Sequence, residues 1–149
     1  MVARLRPARD LSGVVGTINP AGVLTALGAL EVSQVLGKAT RAIHAAALWS
    51  EMAEIIVRED VGRHNALDKL IGACAVAGRK GDPGILMLTS RLSVEMIQKA
   101  EILGAPIVCA MSAPTALAVR AAERAGITLI GVARPDGFEI FNRPDRVVL

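Results

Sequence analysis

The sequence predicts a three-layer α/β domain: a mixed, mostly parallel sheet with helices on both faces. Three observations predict it. The chain is 52% hydrophobic but only 2% aromatic, so its core is built from Ala, Val, Leu and Ile, a set that suits parallel strands covered on both sides. At 149 residues it is long enough for one domain with its own core. Short apolar runs alternate along the chain with longer stretches of helical period, the pattern of strand–helix units.

In order along the chain, Val23, Leu24, Leu27, Leu30 and Leu36 recur at helical spacing behind Pro20, which predicts a helix over 20–36. "AIHAAALW" and "AEIIVRE" read as two strands of a hairpin joined by "SEM". "HNALDKLIGACAVAG" carries an apolar stripe of Ala66, Leu67, Leu70, Ile71, Cys74 and Ala77, with Gly78 as its stop. "GILMLTS" is a buried-type strand, "LSVEMIQKAEILG" a helix ended by Gly104, and "PIVCAMS" a second buried strand. "APTALAVRAAERAG" is a helix favoured at its entry by Ser112 and Pro114 and closed by Gly126; "ITLIGVA" and "FEIFN" are strands joined by "RPDG". No repeat, low-complexity tract or internal linker interrupts this order, so a single domain over 1–149 is expected.

Composition also narrows function. No apolar run reaches the roughly 20 residues of a membrane span, and the basic start "MVARLRPARD" is followed by no apolar signal core; a cytoplasmic protein without membrane association is expected. A net charge of +3, no Lys/Arg block and almost no aromatics argue against nucleic-acid binding, and leave a small anionic ligand or an acidic partner. Cys74 and Cys109 belong to no CxxC, so no metal site is expected and both read as buried, reduced thiols. Dinucleotide and P-loop glycine patterns, a GxSxG elbow and the PCxxC of zinc deaminases are all missing.

Ligands of open α/β sheets bind beyond the carboxyl ends of strands. Four polar clusters follow strands here: "REDVGRHN", "TSRLS", "MSAPT" and "ARPDG". At the first, Arg63, His64 and Asn65 mark a strand-to-helix turn, where free amides and the helix dipole favour an anion. His64 and Asp68, at i,i+4, are placed to touch. The plain alternative is that His64 or Asn65 caps the helix and that Glu59, Asp60 and Arg63 form surface ion pairs. Ser90 and Arg91, with Thr89 and Ser93, repeat the arrangement; Ser112 and Thr115 add hydroxyls. Together these junctions read as one pocket for a phosphorylated ligand. His44, inside "AIHAAAL", reads as a satisfied core residue.

These junctions resemble the signature of the formate dehydrogenase accessory sulfurtransferase family, FdhD. Its long motif is matched by "REDVGRHNALDKLIG", its TGGxHAA by "TRAIHAAAL", its SGRxSxEMVxKA by "TSRLSVEMIQKA", and its SAPTxLAV segment by "SAPTALAVRAAERAGITLIGV". The terminal ARGxRFNVY is matched by "ARPDGFEIF". The resemblance implies a cytidine deaminase-like fold and a protein that takes sulfur from a cysteine desulfurase. The sulfur passes to the molybdenum bis(molybdopterin guanine dinucleotide) cofactor of formate dehydrogenase. By motif match it implies contacts to that cofactor, or to a guanine nucleotide, from Arg63, His64, Asn65, Ser90 and Arg91, and from the turn Val132, Ala133, Arg134, Pro135, Asp136 and Gly137. It also favours a homodimer.

Against the family pattern, the CxxC loop that carries sulfur has no counterpart here, "TGG" has become "TRA", and an arginine of the last turn is replaced as "RPDG" brings in Asp136. The expectation is therefore a shortened relative, the C-terminal cofactor-binding part, without its own sulfur-carrying cysteine and with no assigned catalytic residue. Two alternatives stay open: sulfur transfer through Cys109, Cys74 or a partner's thiol, and a dimeric scaffold without catalysis.

Overall fold

The computed structural model describes residues 10–14, 16–34 and 42–149. Leu36, Thr40 and Arg41, used in the sequence reading, lie outside them. The elements are α1 (Pro20–Ser33), β1 (His44–Ser50), β2 (Ala53–Asp60), α2 (Arg63–Val76), β3 (Ile85–Leu88), α3 (Val94–Leu103), β4 (Ile107–Ala110), α4 (Ala116–Ala125), β5 (Thr128–Arg134) and β6 (Gly137–Asn142), then a 3₁₀ turn, Pro144–Arg146. Their order is the one the sequence predicts; the final turn is not foreshadowed by its pattern.

Local chemistry sets the helix ends. Asn19 caps α1 by accepting from the Gly22 amide at 2.7 Å, with Pro20 in the first turn. Thr115 caps α4 through the Ala118 amide at 3.1 Å. Gly78, Gly104 and Gly126 follow α2, α3 and α4 at φ 70°, 82° and 70°, the left-handed backbone that lets a helix's last carbonyls be paired and that costs glycine least. After α2 this gives Arg79 N–H to Cys74 C=O at 2.8 Å and Gly78 N–H to Ala75 C=O at 3.3 Å.

The six strands form one sheet in the order β2-β1-β3-β4-β5-β6. It is mixed, as expected, but it is not mostly parallel. Only β3–β4 and β4–β5 pair in parallel, whereas β2–β1, β1–β3 and β5–β6 are antiparallel. The reason is topological: the β1–β2 hairpin puts β1 beside β3, so the one crossover through α2 lands β3 antiparallel to it.

Alternation along the strands makes two cores. Ala46, Leu48, Leu86, Leu88 and Val108 face α2, α3 and α4 and meet Leu67, Leu70, Met96, Ile97 and Ala122. Ala45, Ala47, Ile85, Met87, Ile107 and Cys109 face the other way, onto Val23, Ala26, Leu27 and Leu30 of α1. Three layers result, with three helices on one face and α1 alone on the other. Within the α2 stripe Ala66, Leu67, Leu70 and Cys74 are buried, but Ala77 is exposed because it lies past the helix end. No helix among the described residues is long and apolar enough to cross a membrane.

Two features hold the periphery. Arg146 is 3% exposed, and its guanidinium donates to five oxygens. One terminal nitrogen reaches Pro106 C=O (3.1 Å), Gly126 C=O (2.5 Å) and Thr128 Oγ1 (3.4 Å); the other reaches Leu11 C=O (2.6 Å) and Val14 C=O (3.5 Å). At the opposite margin β2 is an edge strand, and three of its carbonyls accept from cations: Glu54 from Arg79, Val57 from Arg58 at 2.7 Å, and Glu59 from Lys69 at 3.1 Å.

Candidate functional site

Because α2, α3 and α4 each follow a strand and run back over the sheet, all three begin along one rim, at the carboxyl ends of β2, β3 and β4. Their free amides and positive dipole ends point the same way. The loops after β3 and β4 lie side by side, joined by a Leu92–Pro114 bridge and by Thr115 N–H to Leu92 C=O at 3.3 Å. The first residue of β1 also lies on this rim, since His44 pairs in register with Asp60.

The structure brings most of the expected residues here. Arg63 opens α2, and its side chain is exposed, with no hydrogen bond or ion pair among the described residues. Neither His64 nor Asn65 caps the helix. Gly62 holds the cap position without a side-chain bond, and the Gly62 amide goes instead to Asp60 Oδ1 at 2.9 Å. Asp60 pairs with Lys69 at 2.6 Å, not with Arg63, and Asp68 pairs with Lys99 at 2.7 Å, not with His64. Asp60 thus forms a surface ion pair, but with a lysine of α2 rather than with Arg63. Lys69, then the Gly62 amide, hold the Asp60 carboxyl below its ordinary range.

On the next loop Ser90 is 3% exposed, and its hydroxyl donates to Arg91 C=O at 3.2 Å, so it shapes the loop. Arg91 itself is exposed and, among the described residues, unpaired. Glu95, in the first turn of α3, joins the two loops electrostatically. Its own amide, then the neighbouring Ser93 hydroxyl, hold its carboxyl below the usual range, and the charges of His64 and Arg63 are close enough to add to this. The Ser93 hydroxyl reaches Glu95 only at poor geometry and is otherwise buried without a partner among the described residues.

The remaining residues lie at the other end of the rim. Val132, Ala133 and Arg134 belong to β5 and Gly137 to β6, so the turn is only Pro135 and Asp136. Arg134 donates to Met111 C=O at 2.6 Å and Ala133 C=O at 2.9 Å. Val132 has φ 50° beside a register shift between β5 and β6, a strained conformation for a β-branched residue. Its amide goes to Ser112 C=O at 3.3 Å. Four inter-strand steps separate the ends of β2 and β5, about 19 Å at the usual strand spacing.

The polar junctions form a largely exposed rim, and two cavities that flank the sheet lie elsewhere. One is a groove of about 940 Å³ along β2 that includes Ile55, Val57 and Val76; the other, of about 430 Å³, lies at the opposite end of the sheet beside Trp49 and Ile107. His44 is no core residue: it is half-buried at the very start of β1, above the layer that Ala45 to Leu48 fill. Its apolar neighbours in sequence hid this, and only the pairing register shows it.

Cys74 and Cys109 are 0% and 1% exposed. Burial raises both thiols, Cys109 to about 12, and a thiol without thiolate or access is a poor nucleophile. Sulfur relay through either requires the domain to open. Among the described residues no group of three or more His, Cys, Asp or Glu is arranged to hold a metal ion.

A model of the FdhD/NarQ family matches residues 3–148. The chain belongs to the FdhD/NarQ family. It is similar to a sulfur carrier protein FdhD of Agrobacterium fabrum, 50% identical over 146 residues, which is 97% of this chain and 54% of that protein. A sulfur carrier protein FdhD of Bordetella parapertussis is 48% identical over 126 residues, covering 84% of this chain and 46% of the relative. Thus the chain spans about half the length of the curated family members it matches. Among solved structures, one described as a putative formate dehydrogenase accessory protein from Desulfotalea psychrophila superposes with a TM-score of 0.82 at 30% identity, over 96% of this chain and 59% of that one. The layered architecture is thus that of a solved family relative.

Proposed function

We propose that this chain is the ligand-holding domain of an FdhD-type sulfur carrier serving formate dehydrogenase, equivalent to the C-terminal, cofactor-binding part of the longer family members. Its substrate is the molybdenum bis(molybdopterin guanine dinucleotide) cofactor, or a guanine nucleotide. The observation that carries this reading is that Arg63 and His64 at the start of α2 and Arg91 in the loop before α3 lie on the rim where three helices begin, without a hydrogen bond or ion pair among the described residues. Guanidinium forks and helix-start amides are the donors that phosphates select. Arg134, about 19 Å along the rim from the end of β2 by strand spacing, and the strained Val132 suit the second end of an extended dinucleotide better than a mononucleotide.

Within this reading Arg63, His64 and Arg91 contact phosphate, Asn65 and Ser90 shape the two loops, and Val132 to Gly137 form the far contact. With Cys74 and Cys109 buried, the sulfur-bearing thiol comes from a polypeptide segment outside these 149 residues or from a partner chain. A cysteine desulfurase upstream, formate dehydrogenase downstream, a homodimer and the cytoplasm complete the proposal. Relatives named sulfur carrier proteins support it. Calorimetric titration with GDP tests it: we expect micromolar to millimolar binding, weakened at least about tenfold by Arg63→Ala, the size of one lost charge-assisted hydrogen bond. Affinity unchanged by that substitution sinks the rim as a phosphate site.

A further inference from the structure

We infer that His44 is a ligand-positioning residue of the rim, donating to a phosphate group from beneath the start of α2. The inference rests on the anion-binding reading above and adds a residue that the motif match did not assign. Ala46 and Leu48 face the α2–α4 core while Ala45 and Ala47 face α1, so strand alternation turns His44 toward α2. Its register partner Asp60 faces the same way, and such cross-strand pairs hold their Cβ atoms about 4.5–5.5 Å apart.

On the other side, Ala46 pairs with Leu88. The pairing continues one residue further, because the Thr89 amide donates to Ala45 C=O at 3.1 Å and the Thr89 hydroxyl accepts from the Ala45 amide at 2.9 Å. Ser90 follows in the loop beyond the last paired position. Both Asp60 and Ser90 are committed, Asp60 to Lys69 and Gly62, and Ser90 to Arg91 C=O. The imidazole of His44 has no hydrogen bond or ion pair among the described residues and is half-buried.

The charged groups on this rim are Asp60, the register partner of His44 on β2, Arg63 and His64 opening α2, Arg91 on the β3–α3 loop, and Glu95 in the first turn of α3, which His64 and Arg63 are close enough to influence. Lys69 already occupies Asp60, so an imidazole without a partner among the described residues, on the rim that also carries Arg63 and Arg91, has an added anion as its natural partner. Protonated imidazole donates from both nitrogens, and a bound phosphate favours that form.

The chain has only two histidines, His44 and His64, so proton NMR of the full chain shows two imidazole Cε1–H signals, assigned with His44→Gln and His64→Gln. Inorganic pyrophosphate and GDP are titrated in turn. The expected result is a saturable shift of the His44 signal with both probes. His44→Gln is expected to weaken pyrophosphate binding about fivefold to tenfold while leaving the melting temperature in place. Binding of either probe that leaves the His44 signal unmoved overturns the inference and spares the anion site. Pyrophosphate that moves His44 while GDP gains nothing over it supports the inference and overturns the guanine reading. Binding of neither overturns both.

Discussion

Replacing Arg146 by Met removes a buried cation while keeping most of its aliphatic volume. Its two shortest bonds, to Gly126 C=O at 2.5 Å and Leu11 C=O at 2.6 Å, are bonds from a charged donor, worth about 1.5–3 kcal/mol each. Losing both costs roughly 3–6 kcal/mol, from which the relieved desolvation of the guanidinium is subtracted. A net loss of about 3 kcal/mol follows, a large share of the 5–15 kcal/mol typical of a domain. Urea unfolding followed by far-UV circular dichroism reads it as a midpoint lowered by about 1–3 M at an unchanged slope. The milder change Arg146→Lys recovers less than half of the loss, because one ammonium cannot reach both the Leu11 and the Gly126 sides. A loss below about 1 kcal/mol would refute the clamp, since two buried carbonyls would then have been abandoned at almost no cost.

Other outcomes follow from the same structure. At pH 8 both thiols resist an aromatic disulfide reagent in the folded protein and react fully in urea, since burial pushes Cys109 up to about 12 and raises Cys74; rapid native labelling of one equivalent contradicts this. Val132→Gly relieves the φ of 50°, worth about 1–2 kcal/mol against roughly 0.5–1 kcal/mol of added chain entropy, so it raises or preserves the melting temperature, and a fall of several degrees contradicts stored strain. The Asp60 carboxyl lies below its unfolded value, held chiefly by Lys69; its contribution is present above the unfolded pKa and is lost as pH falls through the folded one. Asp60→Asn therefore flattens the acid limb of the stability curve, and an unaltered limb would show that Lys69 does not matter to folding.

The fold was readable where its causes are local. Helical spacing from Val23 to Leu30, the glycine stops at Gly104 and Gly126, and the four-residue apolar strands all depend on near neighbours in sequence. Strand direction was not, because β1 lies antiparallel to β3 through a pairing that joins Ala46 to Leu88, a relation no short window contains. The site divides in the same way. Arg63 and Arg91 were legible as cations at strand ends, whereas His44 was masked by the alanines after it and Arg146 by its place in a charged tail. Both are defined by residues far along the chain: Asp60 and Thr89 for one, Leu11 and Gly126 for the other.

The long cations along β2 have a consequence for how this domain keeps company. An outer strand with idle carbonyls recruits strands from its neighbours, and sheets fuse side by side into aggregates. Here Arg58, Lys69 and Arg79 already hold the acceptors that a stranger would seek. Any newcomer must first evict charged side chains and then bury them. The sheet is thereby kept finite at high concentration, and association is steered toward surfaces other than this border.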